Sequence, residues 1–190
     1  MSTATVAKTG TRHWTYQDYL QLDDEQRYEI IEGELLMVPA PSSFHQWYSR
    51  NLEMLLFEFV REHDLGYVFD APIDVILSPA NVVQPDILFI AKARREIIQE
   101  RGIFGAPDLV VEIVSPSSVH RDYHAKQKLY ERFGVWEYWL VDPGNRAVDV
   151  LGLGDAGYTS VSFASDGGTV TSQVLDGLTV SLEAIFQTEI

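Results

Sequence analysis

Two acidic residues lie in apolar segments of this chain, where a hydrophobic side chain would be less costly to bury. Asp86 follows Pro85 at the start of the apolar run 87–90, and Glu112 lies inside the run 109–114. The β-branched content of both runs and the turn residues around them predict strands. An ionised carboxylate on a buried strand costs several kcal/mol unless it is paired, hydrogen-bonded or bound to a metal. Both acidic side chains therefore need a partner.

A second group of chemically useful residues is spaced by four in the segment that follows. Asp122, Lys126 and Tyr130 lie in a predicted helix, 118–133, which ends at Gly134. A spacing of four places the three side chains along one face of an α-helix. That face can turn back toward the preceding strand, because a turn rich in serine and proline separates the two. The alternative is a solvated pair of Asp122 and Lys126 on the helix surface.

The two carboxylates and the lysine could together hydrolyse a phosphodiester. Carboxylate oxygens suit a hard divalent cation such as Mg²⁺ or Mn²⁺, which acts as a Lewis acid and lowers the pKa of a bound water. A lysine ammonium can orient that water and offset the negative charge of the transition state. Two structural roles are the alternatives: Asp86 could cap the start of its strand, and Glu112 could be a buried, hydrogen-bonded carboxylate.

The order and spacing of these motifs resemble a known family. The residues that carry the resemblance are Pro85-Asp86, Glu112-Ile113-Val114-Ser115-Pro116-Ser117-Ser118, then Asp122, Lys126 and Tyr130, and finally Gly134-Val135-Trp136-Glu137-Tyr138-Trp139-Leu140-Val141-Asp142-Pro143. They resemble the putative restriction endonuclease family of bacterial proteins, which is placed in the PD-(D/E)XK nuclease superfamily. The similarity runs from about Tyr16 to the C-terminus.

The resemblance implies a nuclease-like fold and assigns roles to individual residues. It implies that Asp86 and Glu112 are metal ligands and that a lysine stands beside the attacking water. The superfamily motif would place this lysine at position 114, where the chain has Val114. The resemblance points instead to Lys126, a lysine relocated to the following helix. The predicted catalytic residues are therefore Asp86, Glu112 and Lys126.

Four further residues are predicted to support the site. Glu29 lies in a predicted strand and is a candidate third metal ligand, and His45 lies at the start of a predicted helix, 44–63. A lone histidine at such a position otherwise caps or packs the helix. Asp122 and Tyr130 share the helix face of the predicted catalytic lysine.

The pattern of apolar and turn residues predicts an α/β fold. Its core is a helix, a mixed β-sheet, a helix and a strand, as in a PD-(D/E)XK nuclease. A short helix and a β-hairpin at 27–38 precede this core, and a β-meander at 147–174 follows it. We expect residues 13–190 to form a single nuclease-like domain after a flexible leader, 1–12.

Charge and composition narrow the set of partners. The net charge of −14 repels polyanions at long range. The window 91–132 contains eight basic and six acidic residues, so Glu112 and Lys126 lie in the least acidic part of the chain. The chain has no cysteine, which excludes disulfides and thiolate zinc sites. Because no apolar run approaches the ~18 residues of a membrane helix, we expect a cytoplasmic protein without membrane contact.

These observations predict a Mg²⁺- or Mn²⁺-dependent endonuclease-type phosphodiesterase that acts on DNA. The rival hypothesis is a catalytically inert interaction module with a nuclease fold, which the acidic net charge and Val114 favour. A homodimer would suit cleavage of both DNA strands and would cover the apolar strand edges of the meander.

Overall fold

The computed structural model describes residues 12–24, 26–116 and 118–187. The predicted leader, 1–12, lies outside these residues except for Arg12, which pairs with Asp18. The α-helices are α1 (Tyr16–Tyr19), α2 (Ser43–Glu62), α3 (Gln127–Phe133) and α4 (Leu182–Phe186), while Lys92–Ile97 forms a 3₁₀ helix and Arg121–Lys126 a π-helical turn. Within the described part of the chain, no helix is long and apolar enough to cross a membrane.

The described strands form two six-stranded sheets and one two-stranded sheet. Along the chain they are β1 (Arg27–Ile31), β2 (Glu34–Val38), β3 (Gly66–Asp70), β4 (Val75–Ser78), β5 (Asn81–Val83), β6 (Ile87–Ala91), β7 (Ile98–Gln99), β8 (Gly102–Phe104), β9 (Leu109–Ile113), β10 (Glu137–Asp142), β11 (Ala147–Gly154), β12 (Gly157–Ser165), β13 (Thr169–Thr171) and β14 (Thr179–Ser181). The first sheet has the order β2-β1-β5-β4-β8-β7, the second has the order β12-β11-β10-β9-β6-β3, and β13 pairs with β14. Both large sheets are mixed, because β9 runs parallel to β10 and β4 parallel to β8.

The second sheet is covered on both faces, which explains why its central strands are almost continuously apolar. One face, which includes Val111 and Trp139, packs against α2 and α4. The opposite face, which includes Val110 and Leu140, packs against α3 and the first sheet. Because side chains alternate along a strand, Glu112 points to the same face as Val110. Its carboxylate therefore enters the layer between the two sheets.

Asp86 and Glu112 lie on the same face of the second sheet. Strands β6 and β9 are antiparallel, with Ile87 opposite Val111. Extending this register by one residue brings Asp86 opposite Glu112, and residues directly opposite one another on adjacent strands point to the same face. The strand register alone therefore makes the two predicted metal ligands neighbours.

The predicted N-terminal helix and hairpin are confirmed. Thr15 caps α1 in a reciprocal capping box with Asp18. Strands β1 and β2 are antiparallel, and the turn residues Glu32 and Gly33 have φ angles of 52° and 76°. Two left-handed residues are what a tight hairpin turn of type I′ requires. The hairpin places Glu29, on β1, in the layer that faces the second sheet.

The segment after β9 is helical as predicted, but it is not a uniform α-helix. It contains a π-helical turn, Arg121–Lys126, and continues as α3. Each π-helical hydrogen bond spans five residues rather than four, so the side chains are shifted from the positions that an α-helical projection gives them. The helix ends at Gly134, whose φ of 78° is the left-handed conformation of a helix C-terminus.

The predicted C-terminal meander is right for its first two strands and wrong for the third. Strands β10, β11 and β12 pair in sequence and antiparallel. The predicted third strand is shorter, and it pairs with β14 instead of β12. A buried carboxylate explains the departure, because Glu137 accepts hydrogen bonds from the backbone N–H groups of Gln173 and Val174. These hydrogen bonds hold the segment after β13 beside β10.

Candidate active site

Six of the seven predicted site residues line one cleft of about 510 Å³, next to α2, the first hairpin and the ends of β6 and β9. They are Glu29, His45, Asp86, Glu112, Asp122 and Lys126. The seventh, Tyr130, is fully buried and donates a hydrogen bond to Glu112. The fold therefore gathers residues that are far apart in sequence into one place.

Glu112 lies at the centre of the cleft's hydrogen-bond network. Its Oε1 atom accepts hydrogen bonds from Lys126 Nζ at 2.8 Å and from the Tyr130 hydroxyl at 2.7 Å. Burial raises the pKa of Glu112 to about 8, although the neighbouring ammonium of Lys126 opposes the shift. The acidic neighbours Asp122 and Asp86 raise this pKa further. A bound cation or proton is therefore favoured at this carboxylate.

Lys126 is buried between two carboxylates. Its Nζ atom lies 2.8 Å from Glu112 Oε1 and 2.8 Å from Glu29 Oε1. Burial alone would lower the pKa of Lys126, but the two carboxylates outweigh this effect and raise it. The amine is therefore held as an ammonium. Only 3% of the side chain is exposed, so the alternative of a solvated surface pair with Asp122 is wrong.

Asp86 is fixed from two sides. Its Oδ2 atom accepts a hydrogen bond from the Ile113 N–H at 2.7 Å and lies 3.3 Å from His45 Nε2. Burial lowers the pKa of His45, but the hydrogen bond and charge of Asp86 outweigh burial and raise it. The Nδ1 atom of His45 is buried without a hydrogen-bond partner. The carboxylate of Asp86 thus ties β6 to β9 as well as facing the cleft.

Arg121 also lines the cleft, and the sequence did not identify it. Its Nε atom lies 3.8 Å from Glu29 Oε2 and 3.8 Å from Asp122 Oδ1, and none of these three buried atoms has a hydrogen-bond partner. Burial raises the pKa of Asp122, although Lys126 opposes the shift. In an α-helix, position 121 lies off the face shared by positions 122 and 126. The π-helical turn changes that register, so no periodicity in the sequence could have indicated Arg121.

The donor atoms of the cleft fit a hard divalent cation. Asp86 and Glu112 supply carboxylate oxygens from opposed positions on adjacent strands, and the cleft contains no sulfur ligand. Among residues 12–24, 26–116 and 118–187, no group of three or more histidine, cysteine or acidic side chains is arranged to hold a metal ion. A cation here would therefore take two carboxylates and complete its shell with water or backbone oxygen, as Mg²⁺ commonly does.

Comparison with known proteins agrees with this fold. The model of a family described as putative restriction endonuclease, Uma2, matches residues 16–183. The crystal structure of a putative nuclease belonging to DUF820, from Anabaena variabilis, matches with a TM-score of 0.72 and 20% sequence identity, covering 90% of this chain and 97% of that chain. A search of curated proteins finds no match. At 20% identity, the structural likeness shows a shared nuclease-like fold. The family model matches most of the sequence, so the chain belongs to the Uma2 family of putative restriction endonucleases.

Proposed function

We propose that this protein is a metal-dependent endonuclease-type phosphodiesterase that acts on DNA. The observation that carries the proposal is the convergence of Asp86, Glu112 and Lys126 on one cleft. The three residues come from different elements, and an ammonium and two carboxylates are the groups that metal-assisted phosphodiester hydrolysis needs. The family and the nuclease-like fold support the same reaction class.

Asp86 and Glu112 would hold the divalent cation, Mg²⁺ or Mn²⁺. When bound, the cation supplies Lewis acidity at the scissile phosphate and lowers the pKa of a coordinated water. Asp86 presents its carboxylate in a fixed position, because the Ile113 N–H and His45 hold one of its oxygens. Glu112 is fixed in the same way by Lys126 and Tyr130. Such preorganisation removes the need to reorient the ligands during the reaction.

Lys126 would act on the attacking water and on the charge of the transition state. Glu112 and Glu29 accept two of the three N–H groups of its ammonium, so the third can donate to the water or to a phosphate oxygen. Its positive charge offsets the charge that develops there. Because two carboxylates raise its pKa, Lys126 acts as a hydrogen-bond donor rather than as a general base.

DNA is the proposed substrate because the family is described as putative restriction endonuclease and the fold is that of a putative nuclease. Arg27, Arg50, Arg121 and Lys126 line the cleft and can contact phosphate oxygens. Six acidic residues of the described part of the chain line it as well, so the cleft has no positive net charge before a cation binds. The cation bound by the carboxylates would reduce the remaining repulsion.

The test is nicking of supercoiled plasmid DNA by the purified protein with Mg²⁺ or Mn²⁺. We expect metal-dependent nicking that falls at least about a hundredfold in Asp86→Ala, because the variant loses one of two cation ligands. Asp155→Ala removes an exposed aspartate in the turn between β11 and β12, and it should cleave like the wild type. Undiminished nicking by Asp86→Ala would refute the role of that residue.

The second candidate is an interaction module with this fold and no catalysis. Val114, in place of the superfamily's lysine, is the observation that favours it. The same assay separates the two functions, because an inert module leaves the plasmid supercoiled at every metal concentration.

A further inference from the structure

We infer that Glu29 is the positioning residue of Lys126, rather than a third ligand of the cation. The inference rests on the proposed function for the catalytic role of the lysine. Glu29 belongs to β1 of the first sheet, whereas Glu112 belongs to β9 of the second. Lys126 bridges the two carboxylates at 2.8 Å each. The N-terminal hairpin therefore contributes directly to the placement of the ammonium.

The carboxylate of Glu29 is itself rigidly held. Its Oε1 atom accepts a hydrogen bond from the backbone N–H of Gln84 at 2.8 Å, in addition to the contact with Lys126. The Gln84 side chain is in turn fixed, because it donates to Asp74 and accepts from Arg27. Only 1% of the Glu29 side chain is exposed. A group held by backbone in this way can impose a position on a flexible neighbour.

Lys126 needs such a partner because its stem is long and leaves the chain from a helix. A lysine at position 114 would start from β9 itself, immediately beside Glu112. Lys126 must instead reach Glu112 from the last residue of the π-helical turn. A hydrogen bond to one carboxylate leaves the ammonium free to swing around that carboxylate. Hydrogen bonds to two carboxylates on facing sheets hold the ammonium at one position between them. Glu29 thus supplies the second point of attachment.

The surroundings of Glu29 argue against its use as a metal ligand. One oxygen contacts the ammonium of Lys126, and the other lies 3.8 Å from Arg121 Nε. A divalent cation bound to this carboxylate would lie beside two positive groups and would be repelled by both. The charges around Glu29 therefore favour its pairing with these cations.

The kinetic test compares Glu29→Gln, Lys126→Met and the double variant in plasmid nicking. Gln keeps the size of the side chain, and circular dichroism checks that each variant folds. We expect Glu29→Gln to lower kcat about tenfold or more with KM within about twofold of wild type, because misplacing a catalytic group costs rate rather than affinity. The double variant should be no slower than Lys126→Met, since Glu29 acts through the lysine. Glu34→Gln, an exposed glutamate on β2 of the same hairpin, is the matched control.

Calorimetric titration with Mn²⁺ provides the second readout. Glu29→Gln should bind the cation as tightly as the wild type. Weakening by about tenfold or more would identify Glu29 as a ligand and overturn the inference. Multiplicative losses of kcat in the double variant would overturn it as well, because they would show an effect of Glu29 that bypasses Lys126.

Urea denaturation separates this inference from the proposed function. If the wild-type protein does not nick DNA, the proposed function fails, and the unfolding midpoints decide whether Glu29 holds Lys126. We expect the midpoint shift of the double variant to differ clearly from the sum of the two single shifts, as for residues in direct contact. Additive shifts would overturn the inference whatever the nuclease result.

Discussion

At the scale of single residues, the protonation of Glu112 makes the free energy of unfolding depend on pH. Burial raises the pKa of Glu112 to about 8, against an ordinary value of 4.5. The folded state therefore binds a proton more tightly than the unfolded state, and the resulting stabilisation is fully present below pH 4.5 and is lost as pH rises through about 8. We expect the free energy of unfolding to fall across this range in the metal-free wild type.

The variant Glu112→Gln isolates this contribution. It cannot titrate, so its free energy of unfolding, measured by urea denaturation at a series of pH values, should fall less steeply than that of the wild type between pH 5 and 8. Parallel curves for the two proteins would show that the folded state does not perturb this carboxyl group.

The hydroxyl of Tyr130 provides a second prediction at this scale. It is fully buried and donates to Glu112 Oε1 at 2.7 Å, so Tyr130→Phe removes one hydrogen bond while keeping the ring. We expect a loss of about 1–2 kcal/mol in the free energy of unfolding, together with slower nicking. Tyr158→Phe is the control, because the Tyr158 hydroxyl donates at 2.7 Å to the Val135 carbonyl, away from the cleft. That control should lose stability without losing activity; equal losses of activity in both variants would contradict a specific role for Tyr130.

At the scale of secondary-structure elements, the helix that carries Lys126 ends at a residue whose conformation can be tested alone. Gly134 has a φ of 78°, and a Cβ atom built there meets no atom within 4 Å. The effect of Gly134→Ala is therefore purely one of backbone strain, and we expect a loss of about 1 kcal/mol. Gly134→Asn should lose less, because asparagine tolerates the left-handed conformation. Thermal denaturation of both variants gives the comparison, and an alanine variant as stable as the wild type would contradict it.

Most elements, and the buried strand position of Glu112, could be predicted from local sequence patterns. Capping at Thr15, the hairpin turn at Gly33 and the alternation around Glu112 are short-range signals, and the structure confirms each of them. The π-helical turn could not be predicted, because its sequence fits an α-helix equally well. The exit of β13 from the meander depends on the distant carboxylate of Glu137, and the contact between Glu29 and Lys126 depends on how the two sheets pack. Such long-range contacts leave no local pattern.

At the scale of the whole molecule, we propose a homodimer that uses the β12 edge of the second sheet. Among residues 12–24, 26–116 and 118–187, β12 is the outermost strand on that side, and Phe163 on it is 61% exposed. Long unpaired edges with exposed aromatic residues invite pairing with a second copy. Light scattering should give twice the mass of one chain at micromolar concentration, and Phe163→Lys should shift the protein toward monomer. A clean wild-type monomer would contradict this proposal.

Asp86 and Glu112 of the second sheet and Lys126 of the following helical segment meet in the cleft. Calorimetric titration of Mn²⁺ into the wild type, Glu112→Gln and Lys126→Met tests directly whether the two carboxylates hold a cation there. We predict stoichiometric binding to the wild type and binding weaker by about tenfold or more in Glu112→Gln, which loses a ligand. Lys126→Met should bind as tightly as the wild type or more tightly, because the ammonium competes with the cation for Glu112 Oε1. No binding to the wild type at millimolar metal, or equal binding by Glu112→Gln, would contradict a carboxylate-held cation in this cleft.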